Sequence, residues 1–348
     1  MKKALIAMSG GVDSSVAAYL MQQGGFHCGG AIMRLWETPG SASVADAQAV
    51  AGRLGMDFHI LDASLPFRTL VVDYFIRSYE AGLTPNPCIQ CNRHLKFTYF
   101  LDRALELGYD AIATGHYARI RQDPDSGRFL LCKAADESKD QSYFLACLNQ
   151  HQLAHAHFPL GALTKSEARA IAEEQDLVTA RKKDSQDICF VPDGDYVSFM
   201  KAYTGKTYPV GDYLDLTGKV VGKHCGAVCY TLGQRKGLGI ALGAPVYVCG
   251  KDMEANTVTV GPESALFATT LAADNWNWFP FESPTEPIRV MAKARYRHTP
   301  QPATVYPMDG SKAKVVFDSP QRAMTPGQTV ALYDGDIVVG SGIITEVL

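Results

Sequence analysis

Apolar positions along the chain fall into two regimes. Up to about residue 195, short unbroken apolar runs alternate with stretches whose apolar positions recur every three or four residues. The first rhythm marks strands buried on both faces and the second marks helices. Strands are predicted at 4–8, 26–36 (ending Met33-Arg34-Leu35-Trp36), 58–62 and 110–114. Helical spacing occupies 16–21, 43–54, 65–79, 97–108 and 164–175, with Ser43 and Asp46 suited to the start of the second. A hairpin is predicted over 118–133 around Pro124-Asp125-Ser126-Gly127. Alternating strands and helices imply an α/β fold, a doubly wound parallel sheet covered on both faces.

Beyond residue 195 glycines recur and short β-like runs replace long helices, at 203–206 and 211–215. Residues 224–231 alternate as a strand would, placing Cys225 and Cys229 on one strand face. Residues 230–239, Tyr-Thr-Leu-Gly-Gln-Arg-Lys-Gly-Leu-Gly, form a glycine-rich basic loop able to track a phosphate backbone, or a solvated turn. Short strands at 269–271, 289–297, 303–306, 314–317, 329–333 and 336–344 suggest a C-terminal antiparallel β-barrel. Within it Lys293, Arg295, Arg297 and His298 alternate opposite Tyr296, giving one basic face that suits RNA or is simply solvated.

The chain has 348 residues, enough for three domains, read as 1–195 (catalytic), 196–268 (a small β-rich adaptor) and 269–348 (barrel). A net charge of −3 argues against binding nucleic acid by bulk electrostatics, so an RNA partner needs local basic patches. No apolar run approaches the roughly 20 residues that span a bilayer. Nine cysteines without an export signal point to a reducing cytoplasm and to chemistry rather than a disulfide framework.

The chemistry begins at Ser9-Gly10-Gly11-Val12-Asp13-Ser14-Ser15, between the first strand and the first helix. Such a turn presents backbone N–H groups and a positive helix end to an anion. The hydroxyls of Ser9, Ser14 and Ser15 are expected to add donors. There is no lysine and the spacing is wrong for the commoner phosphate loop. The loop resembles instead the S-G-G-x-D-S pyrophosphate loop of ATP pyrophosphatases, which split ATP between the α and β phosphates. A second motif, Thr84-Pro85-Asn86-Pro87-Cys88-Ile89-Gln90-Cys91, carries a C-x-x-C, and its two prolines predict a shaped loop rather than a helix.

Together with Lys139-Asp140-Gln141-Ser142-Tyr143-Phe144-Leu145, Ser185-Gln186-Asp187-Ile188-Cys189-Phe190 and the loop at 230–239, these motifs in this order resemble the bacterial tRNA-specific 2-thiouridylases over essentially the whole chain. The resemblance implies that ATP and Mg²⁺ are used to adenylate O2 of the wobble uridine and that a persulfide delivers sulfur to C2. It implies ATP contacts at Ala7, Met8, Ser9, Gly10, Gly11, Val12, Asp13 and Ser14, with Met33 and Gly115 on the nucleotide. Cys189 would carry the persulfide sulfur. Cys91 would attack it or close a disulfide. Asn86, Pro87 and Cys88 would face the target base, and His116, Lys139, Asp140, Gln141, Arg295, Tyr296 and Gln328 would contact tRNA. The implied partners are the tRNA anticodon arm and a persulfide sulfur-carrier protein or cysteine desulfurase, with a monomer expected for the free protein and no membrane.

Physical chemistry supports the same division. Uridine O2 leaves poorly until it is an AMP ester, and the incoming sulfur must be a soft nucleophile activated near neutral pH, for which Lys182 or Lys183 is a candidate. Polar neighbours at Gln90, Asn92, Gln186 and Asp187 argue against Cys91 and Cys189 being core residues. Many members of the resembled family have aspartate where Cys88 stands. That substitution puts Cys88, Cys91 and Cys189 at one site, a candidate ligand set for a [4Fe–4S] cluster with one open iron; no metal ligand is otherwise indicated. The rival readings are another adenylating ligase with the same loop, and a nucleotide-dependent RNA-binding adaptor without catalysis.

Overall fold

A computed structural model describes residues 1–36, 42–180, 182, 188–191 and 193–348. The sequence-based readings at Lys183, Ser185, Gln186 and Asp187 lie outside the described residues.

The N-terminal part begins β1 (Lys3–Ala7), α1 (Val12–Gln23), β2 (His27–Arg34), α2 (Ala42–Arg53) and β3 (Phe58–Asp62). Strand β4 (Ala111–Thr114) and the short Ala156–His157 complete a parallel sheet of order β3-β2-β1-β4 and then 156–157. Ala4, Leu5 and Ile6 are wholly buried, as a central strand covered by helices on both faces requires. Because β1 pairs with β2 on one side and β4 on the other, the strand order reverses at β1, and the carboxyl ends of β1 and β4 mark the place where such sheets hold ligands.

Two further sheets follow. Gly211–Leu214, Val220–His224, Tyr247–Asp252 and Thr257–Gly261 form a four-stranded sheet. The last six strands, Phe267–Trp278, Ile288–Lys293, Gln301–Pro307, Ala313–Arg322, Thr329–Asp334 and Ile337–Val347, close into a barrel through antiparallel pairing of the first with the last. The hairpin of Arg119–Gln122 and Phe129–Cys132, predicted as a local N-terminal feature, instead extends the barrel sheet by pairing Cys132 with Ile337. One apolar core therefore runs from Leu5 and Ile112 through Tyr143 to Tyr333 and Val338.

Four expectations are corrected. The C-x-x-C does not sit in a loop. Asn86 caps a helix, its Oδ1 accepting from the Ile89 N–H at 3.4 Å, and Pro87 occupies the first helical position, where a missing N–H costs nothing. That helix passes through a π-helical stretch, Cys91–Tyr99, into Phe100–Glu106. Residues 203–206 are not β-like: they end the helix Tyr196–Thr204, which Gly205 closes in the left-handed conformation. The strand expected over 224–231 stops at His224, because Gly226 takes φ +115° and Ala227–Cys229 form a 3₁₀ turn. Cys225 and Cys229 thus share no strand face; the Cys229 thiol donates to the Cys225 carbonyl at 3.5 Å.

The basic strand face is also absent. The strand ends at Lys293, so Arg295, Arg297 and His298 lie in the turn beyond it. Lys293 itself is 9% exposed, its ammonium over the rings of Tyr143, Tyr296 and Tyr333 at 5.2–5.5 Å. Three aromatic faces offset the burial of one charge where no carboxylate is in direct contact.

Candidate active site

The loop after β1 is shaped for a ligand rather than for its own closure. Gly11 caps α1 without any side-chain hydrogen bond, so the first N–H groups of the helix are left to an incoming anion. Gly10 takes φ +69°, and a Cβ there would strike the Ser43 carbonyl at the start of α2. Ser14 Oγ accepts from the Ser9 N–H at 3.1 Å and lies 3.2 Å from Ser9 Oγ, pinning the turn. Ser15 corrects the sequence reading: it is wholly buried, donates to the Gly11 carbonyl at 2.9 Å and accepts from Thr179 at 2.9 Å, so it braces the loop from behind.

Two lysines far away in sequence reach this loop. Lys165, the first residue of the helix Lys165–Glu174, donates to both oxygens of Asp13 at 2.8 Å, and Tyr117 donates to Oδ1 at 2.9 Å. Lys182 donates to the Gly10 carbonyl at 2.9 Å and pairs with Asp46. Asp46 and Ser43 are expected at the start of α2, but the helix begins at Ala42 with no acidic residue in its first turn; Asp46, a turn further in, holds this lysine instead. Gly115, at the end of β4, faces the same loop: a Cβ there would lie 2.7 Å from Asp13 C and 2.8 Å from Ser14 N. Its glycine is demanded by backbone packed against backbone. Met33, at the end of β2, is half-buried against the cores on both sides.

A second cluster of reactive groups lies on the helix that starts at Pro87. Cys88 is exposed, Cys91 is buried and Cys189 is exposed. Each of Cys88 and Cys189 acts electrostatically on Cys91, and Cys88 acts on Cys189, so the three thiols share one neighbourhood although residue 189 is about 100 positions away. Phe190 anchors the Cys189 turn, packing on Phe67, Phe75 and Phe199 with ring centroids 5.2–5.7 Å apart. Although Cys88 and Cys189 reach the surface, the protein packed around the three thiols desolvates them and pushes each upward, Cys91 to about 11, and the cation that opposes this in each case is Lys96. Lys182, the described half of the expected pair, is engaged at the glycine-rich loop, and the cation beside the thiols is Lys96.

Lys96 follows Cys91 by five residues. In an α-helix that offset points away, whereas one π turn carries i and i+5 to nearly the same face. Its ammonium lies 3.5 Å from His116 Nε2, and His116 Nδ1 lies 2.6 Å from Thr114 Oγ1. Burial first, and Lys96 second, hold His116 well below the ordinary histidine range, so it is neutral. A fourth thiol, Cys147, packs beneath the helix, donating to the Ile89 carbonyl at 3.6 Å. Among the described residues no three Cys, His, Asp or Glu side chains are placed to hold a metal ion.

Of the other expected RNA-facing residues, Lys139, Asp140 and Gln141 brace the catalytic part from within, whereas Gln328, Arg295 and Tyr296 join one part to another. Asp140 accepts from the Ala134 and Ser142 N–H groups and from the Ser142 hydroxyl, and Gln141 Oε1 accepts from the Tyr117 N–H at 2.9 Å. Lys139 ends the 3₁₀ turn just before them. Gln328 donates to the Thr84 carbonyl at 2.8 Å and Thr84 N–H donates to the Pro326 carbonyl at 3.0 Å, docking a barrel loop on the T-P-N-P segment. Arg295 donates to the Leu232 carbonyl at 3.0 Å and to Thr325, and Tyr296 packs on Phe144 at 4.3 Å. Sequence reasoning missed Lys96, Lys165 and Tyr117, which stand in no motif of their own.

Family comparisons agree with this architecture. The model of the tRNA methyl transferase HUP domain matches residues 2–193, that of its PRC-barrel domain 197–262, and that of the aminomethyltransferase β-barrel domain 268–344. The tRNA-specific 2-thiouridylase MnmA of Clostridioides difficile is 45% identical over 357 residues, covering 100% of this chain and 99% of that protein. The chain belongs to the tRNA-specific 2-thiouridylase family. The enzyme of the same name from Acetivibrio thermocellus is 46% identical over 355 residues, covering 99% of each. Among solved structures, the U34-tRNA thiolase NcsA of Methanococcus maripaludis aligns with a TM-score of 0.37 at 16% identity, over 58% of this chain and 67% of that one. No helix among the described residues is long and apolar enough to cross a membrane.

Proposed function

We propose that this protein is a tRNA-uridine 2-sulfurtransferase that adenylates the wobble uridine and replaces its C2 oxygen with sulfur, releasing AMP and pyrophosphate. The observation that carries this reading is the pairing of an uncapped glycine-rich helix start, built for phosphate, with three thiols gathered beside one cation. Within it, residues 7–14 hold the ATP phosphates, with Met33 and Gly115 lining the nucleotide crevice. The donor set at Asp13 is hard oxygen, which suits Mg²⁺, and that ion would neutralise the departing pyrophosphate.

Uridine O2 attacks the α-phosphorus, pyrophosphate leaves, and sulfur then attacks C2 with AMP as the leaving group. Cys189, exposed on its turn, takes up the terminal sulfur from a persulfide carrier protein. Cys91 attacks the Cys189 sulfur as the outer atom passes to C2, leaving a disulfide that a reductant must reopen. Cys88, with Asn86 and Pro87, faces the base. Lys139, Asp140, Gln141, His116, Arg295, Tyr296 and Gln328 border the RNA, which spans the catalytic part (1–195), the adaptor (196–268) and the barrel (269–348). In this reading the thiols act as thiols. Anaerobic purification with iron and sulfide analysis tests it: iron and sulfide held in fully active enzyme would assign Cys88, Cys91 and Cys189 to a cluster instead.

The decisive experiment supplies wobble-uridine tRNA, ATP and a persulfide donor to the purified protein. Mass spectrometry of the digested tRNA should show 2-thiouridine, with AMP formed in step. AMP without thiolated base would favour another adenylating ligase, and RNA binding without AMP would favour a non-catalytic adaptor.

A further inference from the structure

The phosphate loop contains no lysine, yet a lysine is fixed at its mouth. Lys165 is not a loosely tethered surface cation. Its backbone N–H donates to Asp136 at 3.0 Å, and Thr164 before it forms a reciprocal cap with Glu167. The side chain is 12% exposed and runs across the Tyr117 ring, 5.9 Å from its centroid, to reach Asp13. Asp13 lies in the first turn of α1, among the N–H groups that must receive phosphate. A carboxylate there repels an incoming triphosphate unless its charge is balanced.

Resting on the reading of this loop as an ATP site, we infer that Lys165 is the phosphate-binding lysine that the loop itself lacks. In the nucleotide-free protein it neutralises Asp13. When ATP arrives, the Lys165 ammonium donates to phosphate oxygens, and the Asp13 carboxylate it releases would be free to hold Mg²⁺. A point charge on a flexible stem suits this exchange, since it keeps one position while its partner changes. Folding thereby holds a cation against Asp13 at the mouth of the loop before phosphate arrives. The lysine sits some 150 residues from the loop in sequence, which is why no motif discloses it.

The alternative is that Lys165 serves Asp13 alone, and a double-mutant cycle separates the two. Binding of ATP in the presence of EDTA is measured by calorimetry, without tRNA, for the wild type, K165M, K165R, D13N and D13N/K165M. Losing a charge-assisted hydrogen bond to phosphate should weaken ATP about ten- to a hundredfold in K165M. K165R should recover most of that loss. D13N should bind metal-free ATP at least as well as the wild type, and adding K165M to it should weaken binding by a similar factor again. If D13N/K165M binds as tightly as D13N, or K165M lies within twofold of the wild type, the inference is overturned. Should K165M fail to fold, K165Q in the same cycle gives the same reading. Failure of the thiolation assay with intact ATP binding would sink the proposed function and leave this inference standing.

Discussion

At the scale of single residues the protein separates two tasks. In the proposed function Asp13 belongs to the activation of oxygen and Cys189 to the delivery of sulfur. Cys189→Ala should abolish 2-thiouridine while AMP release with tRNA survives, read by mass spectrometry and by AMP formation in one reaction. Asp13→Ala should do the reverse of sparing: AMP release falls away while tRNA binding in a filter assay stays near wild type. The thiols also predict a pH dependence. Burial raises Cys91 to about 11 despite Lys96, so its thiolate is scarce at neutral pH in the free protein. Alkylation of Cys91 by iodoacetamide should accelerate about tenfold per pH unit between pH 7 and roughly 10.

His116 gives the residue scale a stability test. Its folded pKa lies well below the usual 6.5, so below that pH the unfolded chain takes up a proton that the folded one refuses. Stability from this group is thus complete above pH 6.5 and is lost on acidification. Urea titrations of the wild type and His116→Gln should diverge as pH falls from about 7 to 5, the variant losing less.

At the scale of elements, the loop after β1 and the end of β4 are one object. Gly115 packs its backbone on that of Asp13 and Ser14, so a methyl group must push the loop away from the strand. Gly115→Ala should cost about 1–3 kcal/mol of stability and weaken ATP binding without altering the thiol cluster. A melt and an ATP titration check both. The helix beginning at Pro87 teaches a different lesson. Two prolines read as a loop because proline breaks helix interiors, but the first helical position accepts it and Asn86 supplies the cap. The π-helical stretch after it, invisible to periodicity arguments built on 3.6 residues per turn, is what turns Lys96 toward the thiols.

At the scale of the whole molecule, the barrel is fastened to the catalytic part at several points. Gln328 and Pro326 hold Thr84 beside the C-x-x-C helix. Asn277 donates to the Ala146 and Leu148 carbonyls at 2.9 and 2.7 Å, and Lys293 sits among tyrosines from both parts. A barrel so attached positions the segment that the proposed function sets against the base. Gln328→Ala should therefore raise KM for tRNA severalfold with little change in ATP binding.

The chain's own pattern decided the strands of the parallel sheet, the loop that cradles phosphate and the order of the motifs. Each of these depends on neighbours within a few residues: an apolar run, a glycine free of Cβ, a helix start. Other features were settled only when distant segments met. The basic run after Lys293 looked like an exposed strand face until three aromatic rings enclosed its first member. Cys189 and Cys91 became neighbours, and Lys165 reached Asp13, because packing of separate elements, not spacing along the backbone, sets which charges and sulfurs share a low-dielectric space.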